Sequence, residues 1–172
     1  VADMGNSGGD LSAHMSPSGK MVVAWQEYSQ GLGSRIRALV FNGTVWSPMA
    51  NLTAFSGDAE YLYWPEMVVN DAGNATVVWI RQGSDNRFLL SRNYTAGTGV
   101  WANAEVINQN QFYAGHISMQ LGITQQGNPI VAMTRWNGNS YELFIRRRDS
   151  SWGAEEVVHA SNERMEIRGV LA

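Results

Sequence analysis

Apolar residues occur along the chain in short runs separated by turns, and the pattern recurs at a nearly constant interval. The segments "SPSGKMVVAWQ" (16–26), "NDAGNATVVWI" (70–80) and "TQQGNPIVAMT" (124–134) can be aligned. Their glycines are each 54 residues apart, at Gly19, Gly73 and Gly127. A tryptophan also follows a second short turn in each unit, at Trp46, Trp101 and Trp152. Two sets of landmarks in register indicate a three-fold internal repeat.

Each unit contains four short extended runs, labelled a to d; in the second unit they are "PEMVVN", "ATVVWIR", "RFLLSRNY" and "VWANAEVI". Runs of five to eight residues rich in Val, Ile, Trp and Phe, with Gly and Asn between them, predict strands. The b runs are almost continuously apolar, as expected for strands covered on both faces. No stretch has a helical periodicity. The sequence therefore predicts an all-β protein, with the recurring tryptophans packed within or between the units.

The turn between strands a and b carries a glycine in every unit. A three-residue hairpin loop usually ends in a residue with positive φ, which glycine adopts without steric cost. We therefore expect Gly19, Gly73 and Gly127 to occupy equivalent positions in the three a–b hairpin turns. We also expect Gly73→Val to distort its hairpin.

Four antiparallel strands with a period near 50 are typical of a β-propeller blade. The sequence predicts one propeller-type domain over 1–172, with blades at about 11–58, 64–110 and 117–160 and an extra strand at 165–172. Propellers generally close with four to eight blades. Three blades and a strand leave two alternatives: an incomplete ring, or a ring closed by oligomerisation.

The amino-acid sequence of the second unit resembles a known kind of repeat. "VVNDAGNATVVWIRQGSDNRFLLSRNYTAGTGVWANAEVI" resembles the propeller-type repeats of exported bacterial proteins, which include sialidase-like and lectin-like blades. The resemblance covers about residues 11 to 172, and implies a secreted, periplasmic or cell-surface location. "GSRIRALVFNGTVWS" (33–47) is similar to a passage of six-bladed fucose-binding lectins, some of which complete a propeller by assembly of small subunits.

Composition excludes several classes of function. The net charge of −3 provides no basic field for nucleic acid. There is no cysteine, which excludes disulfides and thiolate chemistry. No apolar run reaches the roughly 18 residues of a membrane span. The three histidines have no ligand-like spacing, and we predict neither a metal nor a cofactor.

The connections between strands d and a, and between b and c, are expected to be the long ones and to lie on one face. Binding residues are commonly found on such loops. This face is rich in aromatic and charged side chains, which suit stacking on a sugar ring and hydrogen bonding to its hydroxyls. The candidate ligand-binding residues are Glu27, Tyr28, Tyr61, Tyr63, Trp64, Glu66, Arg81, Arg87, Tyr113, His116, Arg135 and Trp136.

Three hypotheses about function follow. The favoured one is a non-catalytic module that binds a carbohydrate or a surface partner through this face. The others are a structural or adhesin repeat module, and a fragment of a sialidase-like glycosidase. The glycosidase is disfavoured because the sialidase motif S-x-D-x-G-x-x-W belongs between strands c and d. The similar "NDAGNATVVW" lies between a and b.

Overall fold

The computed structural model of the chain describes residues 8–57, 59–84, 87–108 and 118–167. These residues contain strands and turns and no helix, so the all-β prediction is confirmed. The strands form three antiparallel sheets, which do not close into a ring. Of the extra strand predicted at 165–172, residues 168–172 lie outside the described residues, and residues 165–167 are not in a strand.

Each sheet is a meander in which successive strands pair with one another. Sheet 1 contains β1 (Gly8–Met15), β2 (Met21–Ser29), β3 (Gly33–Phe41) and β4 (Ala50–Asn51). Sheet 2 contains β5 (Tyr61–Val69), β6 (Ala75–Gln82), β7 (Arg87–Thr95), β8 (Val100–Trp101) and β9 (Glu105–Val106), the last two both paired with β7. Sheet 3 contains β10 (Ser118–Ile123), β11 (Pro129–Trp136), β12 (Tyr141–Arg147) and β13 (Glu156–Ser161).

The first turn of each sheet has the same geometry. Gly19, Gly73 and Gly127 have φ values of 80°, 87° and 82°. In each turn the glycine N–H donates to the carbonyl oxygen three residues earlier, at 2.8 to 2.9 Å. The three glycines therefore occupy equivalent positions in their turns, as predicted. Glycine recurs there because the position requires a left-handed backbone conformation, which other residues adopt much less readily.

Sheet 2 lies between the other two sheets and is buried on both faces. Val77 and Trp79 of β6 belong to a core cluster shared with sheet 1. Val78 and Ile80, which point the opposite way, belong to a second cluster shared with sheet 3. Six successive residues of β6, from Ala75 to Ile80, are buried, as the apolar run predicts.

Hydrogen bonds also join neighbouring sheets through their first strands. His14 Nδ1 of β1 accepts from the backbone N–H of Val69 at 3.1 Å. Asn70 Nδ2, just after β5, donates to the carbonyl oxygen of Gly127 at 3.0 Å. The strands β1, β5 and β10 therefore mark the side on which the sheets approach each other.

The outermost strands are shorter than the d runs predict. In sheet 1, Trp46 forms one isolated bridge with Phe41 before β4 begins at Ala50. Pro48 lies between the two pairings and has no N–H for the ladder. Side chains take over part of the pairing: Ser47 Oγ accepts from the Val40 N–H at 3.0 Å.

The recurring tryptophans have different environments. Trp25 and Trp79 are buried, and Trp101 and Trp152 pack against the two core clusters, as expected for packing residues. Trp46 is the exception, because 47% of its surface is exposed.

We predict that Gly19→Ala lowers the free energy of unfolding by about 1–2 kcal/mol, because alanine is strained at positive φ. A Cβ at Gly19 would meet no atom within 4 Å, so backbone conformation alone is tested. Gly97→Ala is the control, since Gly97 is also uncrowded and does not have positive φ. Urea unfolding measures both, and equal losses would contradict the prediction.

A second prediction concerns the hydrogen bond from Trp152 Nε1 to Ser91 Oγ, 2.8 Å long, which joins sheets 3 and 2. Ser91→Ala should cost about 1–3 kcal/mol, because the indole N–H loses its acceptor. Trp152→Phe and the double variant complete a thermodynamic cycle. The two losses should be less than additive; full additivity would show that the bond contributes nothing.

Candidate functional site

The candidate residues lie in strands and not in loops, which corrects the sequence prediction. The b–c connections, 30–32, 83–86 and 137–140, contain only three or four residues. They are short because strands b and c extend, pairing Glu27 with Arg35 and Arg135 with Glu142. All ten described candidates belong to β2, β5, β6, β7 or β11. Tyr113 and His116 lie outside the described residues.

These ten residues nevertheless share one end of the sheets. We call it the upper end: the end with the three b–c connections, opposite the glycine turns at 16–20, 70–74 and 124–128, which form the lower end. Glu27, Tyr28, Arg81, Arg135 and Trp136 lie near the ends of their b strands. Tyr61, Tyr63, Trp64 and Glu66 lie within the first six residues of β5, and Arg87 begins β7. Antiparallel order brings these strand ends together.

Three of the charged candidates are committed to partners in their own sheets. Glu27 forms ion pairs with Arg35 at 2.9 Å and Arg37 at 2.7 Å. Burial by itself raises the pKa of Glu27, but hydrogen bonds and the charges of the two arginines bring it below its usual value. Arg81 stacks on Phe88, with 5.1 Å from its guanidinium carbon to the ring centre.

Arg135 is held in the same way in sheet 3. It pairs with Glu142 at 2.9 Å and Glu155 at 2.8 Å, and lies over the ring of Phe144. Glu27, Arg81 and Arg135 occupy corresponding places in the b–c hairpins, each opposite the residue with which it interacts. Each of the three side chains interacts within its own sheet, and no contact among the described residues joins them into one site.

A bulge in β5 gives the upper end its most unusual feature. The pairing with β6 shifts between Tyr63 and Glu66, so β5 has one residue more than its partner. Trp64 lies in this bulge with φ of 51° and is the non-glycine residue with positive φ among those described. A residue before proline rarely adopts this conformation. Strained backbone of this kind is typical of functional sites.

The side chain of Trp64 is available to a ligand. It is 45% exposed, and its ring meets that of Tyr63 edge-on, with centroids 5.1 Å apart. Its backbone N–H donates to Asp10 Oδ2 of sheet 1 at 3.4 Å. The indole is therefore presented on a backbone that is fixed from the side of sheet 1.

Tyr63 is fixed by polar contacts within sheet 2. Its hydroxyl donates to Gln82 Oε1 at 2.8 Å, and Arg87 Nε donates to the same oxygen at 3.1 Å. Burial raises the pKa of Tyr63, although the charge of Arg87 opposes this. Tyr63 thus supports the exposed indole beside it.

Glu66 is a half-buried carboxylate on the same strand. It makes no hydrogen bond or ion pair with the described residues, and burial raises its pKa above the usual 4.5. Because no described residue donates to the Glu66 carboxylate, its two oxygens are available to accept hydrogen bonds from a ligand. We call Tyr63, Trp64, Glu66, Gln82 and Arg87 the bulge site.

The remaining aromatic candidates surround this end. Tyr28 and Tyr61 are exposed. Trp136 and Tyr141 are paired across β11 and β12, with ring centroids 4.9 Å apart. They provide further flat surfaces, and Tyr61 is the one among them whose backbone pairs with a residue of the bulge site, Gln82, within the described residues.

A cleft at the lower end was not anticipated from the sequence. Its volume is about 600 Å³, and it lies where the three glycine turns meet. Its lining includes His14, Asn70, Asp71 and Gln125. Burial lowers the pKa of His14, and hydrogen bonds from Ser18 lower that of Asp71. The glycine spacing could have indicated this convergence, but not the presence of a cleft.

Comparison with known proteins identifies no family, because no protein-family model and no curated protein matches the chain. Within the described ranges, no cluster of three or more His, Asp or Glu side chains could hold a metal ion. The same ranges contain no helix long and apolar enough to cross a membrane. The residues of the site are therefore the basis for inferring function.

The raised pKa of Glu66 predicts a pH dependence of stability. The folded protein keeps a proton on Glu66 at pH values at which the unfolded chain has lost it, so stability falls as pH rises from about 4.5 through the folded-state pKa. Glu66→Gln should therefore be more stable than the wild type at neutral pH, with the difference vanishing below about pH 4.

Urea unfolding over this pH range measures the effect. Glu163→Gln, at an exposed position, is the control and should follow the wild type at every pH. A Glu66→Gln variant that is less stable than the wild type at neutral pH would show that the carboxylate has a partner.

Proposed function

We propose that this protein is a non-catalytic binding module, built from propeller-type blades, that recognises a carbohydrate at its upper end. The observation that carries the proposal is Trp64, an exposed indole held in a strained conformation two residues before Glu66, a half-buried carboxylate that has no partner among the described residues. Strain is retained where the surrounding structure fixes it and a function uses it.

The chemistry of the bulge site suits a sugar. The C–H face of a sugar ring stacks on a flat aromatic surface such as that of Trp64. The oxygens of Glu66 accept from hydroxyl groups, and a charged acceptor makes a stronger bond than a neutral one. An aromatic surface and a directional acceptor lie two residues apart on one strand.

The propeller assignment supports this proposal through its architecture. Three antiparallel meanders packed face to face, with their first strands adjacent, have the arrangement of neighbouring blades. The resemblance of the sequence to exported bacterial repeats adds a location in the periplasm, at the cell surface or outside the cell. A propeller end on which several strands begin and finish is a common place for a ligand.

A glycosidase remains the second candidate because of one observation, the raised pKa of Glu66, which is a property of general acids. Glycosidases normally require a second carboxylate about 5–10 Å away. Glu60, six residues earlier in the chain, precedes β5, and no contact among the described residues places it beside Glu66. A binding role requires only the residues of the bulge site.

We predict that Trp64→Ala weakens binding of the preferred glycan at least about ten-fold, or 1.4 kcal/mol, because the stacking surface is lost. A glycan array identifies the ligand, and titration calorimetry measures its affinity. Trp46→Ala is the matched control, since Trp46 is equally exposed but belongs to the lower end of sheet 1.

Two results would contradict the proposal. The first is glycan binding that Trp64→Ala leaves unchanged. The second is hydrolysis of fluorogenic glycosides by the wild type that is lost in Glu66→Gln, which would favour the glycosidase.

A further inference from the structure

The first strand, β1, lies against sheet 2 without contributing to the hydrophobic core. The core cluster between sheets 1 and 2 contains side chains of β2, β3 and β5, but none of the described side chains of β1. Leu11, Ala13 and Met15, at alternate positions of β1, are exposed. β1 is also the edge strand of its sheet, next to β2. A strand with so few buried apolar contacts can separate from its neighbour while the core stays intact.

Side-chain acceptors on β1 hold this strand to β5 at both ends. At the upper end, Asp10 Oδ2 accepts from the Trp64 N–H at 3.4 Å. At the lower end, His14 Nδ1 accepts from the Val69 N–H at 3.1 Å. Val69 is 1% exposed, so its N–H depends on the imidazole for a partner while the two strands are in contact.

The bond to Val69 defines the protonation state of His14. A ring nitrogen that accepts a hydrogen bond carries no proton, so the neutral ring has its proton on Nε2. In the charged ring both nitrogens are donors. Nδ1–H would then face the Val69 N–H across 3.1 Å, with no lone pair between them. The hydrogen bond and the charged imidazolium therefore exclude each other.

The nearest charged groups at the lower end have opposite signs. Asp71 lies in the turn after β5, and Lys20 Nζ donates to its backbone carbonyl oxygen at 2.6 Å. Burial lowers the pKa of His14 below its usual 6.5, so the folded structure favours the neutral ring. β10 and the turn at 124–128 contain no titratable side chain. The other titratable groups of β1, β2 and β5 lie nearer the upper end: Asp10, Glu27, Tyr28, Tyr61, Tyr63 and Glu66.

We propose that His14 is a pH-sensitive latch, whose protonation releases the lower half of β1 from β5. Release moves His14 and Met15 away from the other walls of the lower-end cleft, so the cleft becomes wider than its closed volume of about 600 Å³. The remaining bonds at this end among the described residues, from Ser18 and Lys20 to Asp71, are exposed and exchange with water at little net cost.

The latch is closed at neutral pH and opens as the pH falls. Above about pH 6.5 the ring is neutral whether β1 is bound or released, so pH has no effect. Below that value the released ring binds a proton that the bound ring does not, and release becomes more favourable down to the pKa of the bound ring. At about pH 5 a free ring is protonated roughly thirty to one, which limits the gain in the opening constant to about thirty-fold.

Backbone hydrogen exchange, followed by NMR at about pH 7.5 and about pH 5, tests the proposal. After correction for the intrinsic effect of pH, the protection factor of Val69 should fall about five-fold or more at the lower pH. Leu62, at the other end of β5, is the matched control, because its N–H donates to Ser34 Oγ of sheet 1 at 2.7 Å. A hydroxyl does not change its charge in this range, so the protection of Leu62 should change less than about two-fold. Equal losses at both amides would overturn the proposal, since they would show that acid destabilises the whole fold.

His14→Asn is the matched variant, because asparagine Oδ1 can replace Nδ1 as acceptor and does not titrate. The protection of Val69 should then be independent of pH in this range. His159→Asn, at an exposed position in β13, should keep the wild-type dependence. A dependence that survives in His14→Asn would assign it to another group, such as Glu66, and would overturn the proposal.

An NMR titration of the His14 ring in the wild type is an independent measurement that needs no variant. The ring should carry its proton on Nε2 at neutral pH and should titrate below pH 6.5. A neutral ring with its proton on Nδ1, or a titration at or above pH 6.5, would contradict the latch.

Discussion

The structure depends on the burial of sheet 2 from both sides. Because side chains alternate along a strand, Val77 and Trp79 contact sheet 1 while Val78 and Ile80 contact sheet 3. Sheet 2 therefore buries apolar side chains on both faces, and without its two neighbours it would expose both sets to water. The bulge site belongs to this sheet, so its geometry is fixed by neighbours on both faces.

This double burial explains how Trp64 can hold an unfavourable backbone conformation. Strain of about 1–3 kcal/mol persists only where surrounding contacts determine the position of the chain. Here sheet 1 supplies two such contacts: Ser34 Oγ accepts from the Leu62 N–H at 2.7 Å, and Asp10 accepts from the Trp64 N–H. These bonds lie on either side of Tyr63 and hold the beginning of β5 in place.

The sequence was sufficient for the strands and the glycine turns, because both follow from local patterns. It was misleading for the b–c connections, which were predicted to be long loops that contain Glu27 and Arg135. Each pairs instead across its hairpin, an interaction that depends on the partner strand. Four of the five residues of the bulge site were predicted as candidates, whereas Gln82, the bulge itself and the absence of a described partner for Glu66 depend on which residues are opposite and nearby.

Differences between corresponding tryptophans show why position alone does not determine a residue's contribution. Trp152 Nε1 donates to Ser91, whereas Trp101 Nε1 is buried without a partner among the described residues. The register places Ala38 of sheet 1 where sheet 2 has Ser91, because Ala24 pairs with Ala38 as Val78 pairs with Ser91. Alanine has no acceptor, so Trp101 incurs a cost of about 1–3 kcal/mol that Trp152 avoids. Trp101 and Trp152 occupy equivalent positions in their sheets but stabilise their contacts with the neighbouring sheet unequally. The difference comes from the neighbouring sheet, which has a serine acceptor in one case and an alanine in the other.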